Sequence, residues 1–157
     1  MIRSGTRLGI DVGKARIGVA RSDPHAILAT PVETVPRDQS GSADLARIAE
    51  LANEMSAMEL VVGLPINLSG RRTPSTDDAE NFAHRLAAAV AVPVRLVDER
   101  LSTTQAQGQL RQSGRNTKNS RGIIDQAAAV VILQHALDAE RTSGNAPGVA
   151  VEIGGSQ

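Results

Sequence analysis

Carboxylates that break apolar stretches are the residues of this chain best placed to do chemistry. Asp11 stands between Ile10 and Val12 in Leu8-Gly9-Ile10-Asp11-Val12-Gly13, and Asp98-Glu99 closes the run Val94–Val97. Asp125 interrupts Gly122-Ile123-Ile124-Asp125-Gln126-Ala127-Ala128-Ala129. A carboxylate in a buried strand is costly unless something pairs with it. Each acid also has an ordinary explanation. Asp11 can accept turn amides at a strand end, and Asp125 can sit in the favourable field of a helix N-terminus. Taken together, acids converging from three elements repel one another unless cations hold them. Hard oxygen donors point to Mg²⁺ or Mn²⁺ rather than zinc. Such ions activate a water and stabilise an oxygen leaving phosphorus. Gly9 and Gly13 beside Asp11 are expected to leave room for a ligand to approach the backbone.

A basic border accompanies the acids. From Arg100 to Ile124 there is no acidic residue, while Arg100, Arg111, Arg115, Lys118 and Arg121 are basic. Arg71-Arg72 and Lys14 extend the pattern, as does Arg16. A solvated loop needs no more than this, but a phosphodiester polyanion also fits it. His25, alone in the turn Asp23-Pro24-His25, reads as a solvated surface residue.

The elements that must position these residues follow from periodicity. Leu8–Val12 and Ile17–Ala20 form a hairpin around Gly13–Arg16, and Thr30–Val35 adds a third antiparallel strand before Pro36. Ser42 opens a helix to about residue 57, with Leu45, Ile48, Leu51, Ala52 and Met55 on its apolar face. Asp44, Arg47, Glu50 and Glu54 lie mostly on other faces. Glu59–Leu64 is a nearly continuous apolar run of the parallel-sheet kind, ended by Pro65. Ser75 and Thr76 start a second helix carrying Ala79, Phe82, Ala83, Leu86, Ala87 and Val90, and Val94–Val97 is a fifth strand. Ser102-Thr103-Thr104-Gln105 is a capping box for a helix to about Gln112, and Ser113–Ser120 is polar and flexible. A last helix runs from about Arg121 to Arg141, placing Asp125 on a face with Ala128, Ala129, Ile132 and Ala136. The expected fold is α/β, a mixed five-stranded sheet with helices on both faces and right-handed crossovers. It forms one domain over residues 1–141, and the Gly- and Pro-bearing tail 142–157 is expected to be disordered.

With 157 residues and 41% hydrophobic content the chain can bury a core, although aromatics make up 1% and Phe82 stands alone. The absence of cysteine excludes disulfides and thiolate zinc sites and fits a cytoplasmic setting. No signal-peptide region or membrane span is expected. A formal net charge of zero argues against a generally adhesive nucleic-acid binder while permitting local fields.

At this point the residues carry a family resemblance. Gly9-Ile10-Asp11-Val12-Gly13-Lys14, Val62-Gly63-Leu64-Pro65, Asp98-Glu99-Arg100-Leu101-Ser102-Thr103 and Ile124-Asp125-Gln126-Ala127-Ala128-Ala129 resemble successive motifs of the YqgF family. That family is similar to the RuvC Holliday-junction resolvases of the ribonuclease H-like superfamily, and the match spans about Leu8 to Leu137. The resemblance implies a ribonuclease H-like fold and a metal-dependent nuclease with Asp11, Glu99 and Asp125 as its acids. Members are described as nucleases maturing the 5′ end of the 16S ribosomal RNA precursor, and some as junction resolvases. Gln126 departs from the acidic or polar residue usual after Asp125.

A structured RNA precursor is the expected substrate and a four-way DNA junction the alternative, with the protein a monomer or homodimer. A non-catalytic nucleic-acid-binding module is the remaining alternative. The first hairpin also resembles the phosphate loop of sugar kinases and Hsp70-type ATPases, but those need a second such domain.

Overall fold

A computed structural model describes residues 3–66, 69–98 and 121–151, with backbone alone at 121–125. β1 (Arg7–Val12), β2 (Arg16–Ser22) and β3 (Ala29–Pro36) form an antiparallel meander. Helix α1 (Ala43–Glu54) crosses to β4 (Glu59–Leu64), which lies parallel beside β1. Helix α2 (Pro74–Ala89) then leads to β5 (Val94–Asp98), parallel beside β4. Helix α3 (Arg121–Ser143) and β6 (Val149–Ala150) complete the described elements. The sheet order is β3-β2-β1-β4-β5-β6. Pro31 and Pro36 fall on edge strand β3, where a missing donor is tolerated.

Strand alternation splits the core into two layers. Leu8, Ile10, Ile17, Val19, Leu60 and Val62 meet Leu45, Ile48, Phe82 and Leu86 of α1 and α2. The other face is built from smaller residues: Ala20, Ala29 and Val61 pack against Ala129, Ile132, Leu133, Ala136 and Leu137 of α3. Gly9 explains the difference. A Cβ there would stand 2.7 Å from the Leu133 Cβ and 2.9 Å from the Ala129 carbonyl oxygen, so the missing side chain is what lets α3 approach β1. The room expected beside Asp11 for a ligand is therefore taken by the helix. At Gly13 the limit is the hairpin itself, because a Cβ would lie 2.7 Å from the Arg16 carbonyl oxygen.

Other expectations are adjusted. Among the described residues the sheet has six strands rather than five. Residues 142–151 are not a disordered tail: α3 continues to Ser143, Val149 pairs with Leu96, and the Val151 N–H donates to the Val94 carbonyl at 2.8 Å. The free edge of β5 offers ladder groups that this segment satisfies. Helix α2 begins at Pro74, one residue before Ser75, since Thr73 caps it in a reciprocal box with Thr76 and Pro74 occupies the first turn. Asp44 is buried, where it accepts from the Asp38 N–H at 3.0 Å and faces Arg37. His25 is exposed, as expected. The expected helix 102–112 and flexible stretch 113–120 lie outside the described residues. Among the described residues no helix is long and apolar enough to cross a membrane.

Candidate nuclease site

Three contacts along α3 fix its direction across β1. Near its C-terminal end the Glu140 carboxylate meets the Arg7 Nη2 at 3.2 Å, and in its middle Leu133 and Ala129 cover Gly9. Toward its start the Gln126 Nε2 donates to the Thr34 Oγ1 at 3.0 Å. Thr34 pairs with Gly18, and Gly18 pairs with Asp11. The helix thus runs antiparallel to β1, and its first turns lie over the sheet row containing Asp11. The distances agree: two strand residues from Gly9 to Asp11 advance about 6.6 Å, and four helical residues from 129 back to 125 advance about 6 Å. Asp11, partly buried, and the backbone position of Asp125 share one pole of the sheet.

The carboxyl ends of the parallel strands reach the same pole. Leu64 at the end of β4 pairs with Asp98 at the end of β5, and Asp98 is exposed. In open α/β sheets this end commonly carries the site. Glu99 follows Asp98 directly but lies outside the described residues, and the Asp125 side chain is outside them as well. Among the described residues no three His, Asp or Glu side chains form a metal-binding group.

The basic border divides in two. Arg100, Arg111, Arg115 and Lys118 fall outside the described residues, and Arg121 opens α3 with its side chain undescribed. Lys14 is exposed in the β1–β2 turn, and Arg71 is exposed in the loop after β4. Arg72 is engaged already: its Nη2 lies 2.7 Å from the Asp77 Oδ1 and also donates to Glu80. Its charge is balanced by the first turns of α2.

Sequence reasoning missed Arg37, which follows Pro36 beyond the third expected strand. Its guanidinium reaches the site hairpin, with Nη1 donating to the Gly13 carbonyl at 2.8 Å. The same group grips both Asp78 oxygens, at 2.9 and 3.1 Å, and lies over the Phe82 ring, 5.3 Å from its centroid. The Asp78 carboxyl is held below its usual range, chiefly by the Arg37 hydrogen bond. An arginine following the Pro36 that ends an edge strand was the available signal.

Comparison with known proteins places this geometry. Residues 5–139 match the family described as "RuvX: Holliday junction resolvase". A protein of Clavibacter michiganensis subsp. michiganensis, named "Putative pre-16S rRNA nuclease", is 65% identical over 150 residues, covering 96% of this chain and 93% of its own. A protein of Leifsonia xyli subsp. xyli with the same name is 58% identical over 151 residues, with 96% and 97% covered. Among solved structures, Thermus thermophilus RuvC in complex with a Holliday junction substrate aligns at a TM-score of 0.57. That alignment covers 94% of this chain and 99% of that one at 15% identity, a likeness of fold. The family match over residues 5–139 and these relatives show that the chain belongs to the family described as "RuvX: Holliday junction resolvase".

Proposed function

We propose that this chain is a metal-dependent nuclease acting in 5′-end processing of the 16S ribosomal RNA precursor, in the cytoplasm. The observation that carries the reading is the shared row of Asp11, Gly18 and Thr34 with Gln126 of α3. It puts an acid of β1 and the acid-bearing turn of α3 at one end of the sheet, where β4 and β5 also finish. The relatives' names supply the substrate class.

Asp11, Glu99 and Asp125 are the residues that would hold the metal, and their hard oxygen donors suit Mg²⁺ or Mn²⁺. Bound there, the ion supplies Lewis-acid activation of a water and neutralises charge on the leaving oxygen. Asp11 is partly buried and pairs with Gly18 across the hairpin. Lys14 and Arg71 steer and hold the phosphate backbone, with Arg100, Arg111, Arg115, Lys118 and Arg121 extending that border. Arg72 contributes less because Asp77 and Glu80 compensate it. With 1% aromatics, base stacking is scarce and recognition rests on backbone and shape.

A second reading, four-way DNA junction cleavage, is favoured by the family description and by the fold of the RuvC complex. Cleavage of both substrates in identical salt, with Mg²⁺ or Mn²⁺, separates the two. The rRNA reading predicts a discrete cut in the precursor fragment and intact junctions. Paired nicks in opposed junction strands by a stable dimer, with the precursor left whole, would install the resolvase. Metal-independent binding without cleavage of either would leave only a binding module.

A further inference from the structure

The last two residues of β1 lie beyond its register with β4. The β1–β4 register ends at Ile10–Val62, while Asp11 and Val12 pair with Gly18 and Ile17 of β2. Besides the hairpin's own pairing, residues 37–39 hold this turn. The Arg37 Nη1 donates to the Gly13 carbonyl at 2.8 Å, the Gln39 Nε2 to the Lys14 carbonyl at 3.0 Å, and the Arg37 N–H to the Ala15 carbonyl at 2.9 Å. Three consecutive carbonyls of the turn between Asp11 and β2 are thus gripped by one short segment. That segment is itself anchored, because the Arg37 side chain, 7% exposed, forks onto Asp78 of α2 and faces Asp44 of α1 at 3.7 Å. A planar fork can serve the carbonyl and the carboxylate together, whereas a lysine ammonium is a single point charge.

We infer that Arg37 is a positioning residue of the nuclease site, bracing the Gly13–Ala15 turn so that Asp11 and Lys14 are presented in fixed orientation toward the substrate. The inference rests on the nuclease reading and adds to it the group that sets the hairpin's geometry. Small displacements of a reacting group cost large factors in rate, while the substrate's phosphate contacts are spread over other cations.

The test compares wild type, Arg37→Lys and Gln39→Ala in single-turnover cleavage of the precursor fragment with Mn²⁺, alongside amide hydrogen exchange without metal. Gln39 is exposed, so its variant folds whatever becomes of Arg37. Arg37→Lys is expected to lower the cleavage rate about 10–100-fold with substrate affinity within about 3-fold. Gln39→Ala is expected to lower it by a smaller factor. Exchange should quicken at residues 13–16 in both variants and stay unchanged at Arg7, Leu8 and Glu59 at the far pole. Rates within about 2-fold of wild type in Arg37→Lys, or losses that merely track the folded fraction, overturn the inference. Unaltered exchange at the turn overturns it as well. Failure of wild type to cleave would instead defeat the nuclease reading, while the exchange arm still reports whether Arg37 braces the turn.

Discussion

At the pole where the parallel strands begin, Glu59 and Glu140 are buried and matched by arginines. The Arg3 Nη2 lies 3.0 Å from Glu59, and the Arg3 Nε lies 2.8 Å from Glu140. Arg7, 1% exposed, adds a contact to Glu140 at 3.2 Å. At the pole where those strands finish, acids arrive from β1, β5 and α3. Two of the described guanidiniums there are committed elsewhere, Arg37 to Asp78 and Arg72 to Asp77 and Glu80. These ion pairs tie the segment at residues 3–7 to β4 and to α3, both distant from it in sequence. The acids proposed for the other pole, Asp11, Glu99 and Asp125, would suit a cation and a polyanion.

The largest effects should separate the poles. Asp11→Asn is expected to reduce cleavage by on the order of 10³-fold or more. It should leave stability unchanged or raised, because a charge leaves a like-charged cluster. Glu140→Gln should do the reverse, costing about 3–5 kcal/mol as the buried Arg7 loses its counter-charge and Arg3 keeps only Glu59. Its activity per folded molecule should be near wild type, read by urea denaturation and by cleavage below the transition.

Gly9→Ala joins the two poles. Its Cβ would press on backbone at Ala129 and on the Leu133 Cβ, so α3 must shift. We expect about 1–3 kcal/mol of destabilisation, together with a loss of cleavage larger than the unfolded fraction explains. Full activity per folded molecule would show that the start of α3 does not set the site.

Acidification should act first on the matched pole. The Glu140 carboxyl is pulled down to about 2, chiefly by its hydrogen bond from Arg3, against an ordinary value of 4.5. Its folded value lies below the unfolded one, so its stabilisation is present above about pH 4.5 and is lost as pH falls toward 2. Glu140→Gln should remove that part of the pH dependence.

The smallest effects concern single surface cations. Neutralising Lys14 or Arg71 should lower the log–log salt slope of substrate binding by about 0.7 on single strands or about 0.9 on duplex. Arg72→Ala should change it less, and should leave stability nearly unchanged because the pair is exposed.

Much of this was readable from residue order. The β-branched runs at 8–12, 17–20, 30–35, 59–64 and 94–97 became strands within a residue or two, and the apolar spacing of α1 and α2 held. Long, strongly periodic segments state their own partners. Val149–Ala150 did not, because a two-residue strand has no period and depends on the free edge of β5. The glycines beside Asp11 were visible, but their cause was not. Only the packed helix shows that Gly9 answers to Leu133 and Gly13 to its own turn. Asp44 and Arg37 look like surface residues in sequence, since nothing local announces a buried partner from another element. Asp11 and Asp125 stood out because each breaks an apolar stretch, and the backbone brings both to one pole.

The most direct test of the division between poles is the shift in melting temperature on adding Mn²⁺ to wild type, Asp11→Asn and Glu140→Gln. A ligand that binds only the folded state raises its stability by mass action, about 2.7 kcal/mol at a hundredfold excess over its dissociation constant. The account predicts a rise in wild type and an equal rise in the less stable Glu140→Gln, with little or none in Asp11→Asn. An undiminished rise in Asp11→Asn, or no rise in wild type, would contradict it.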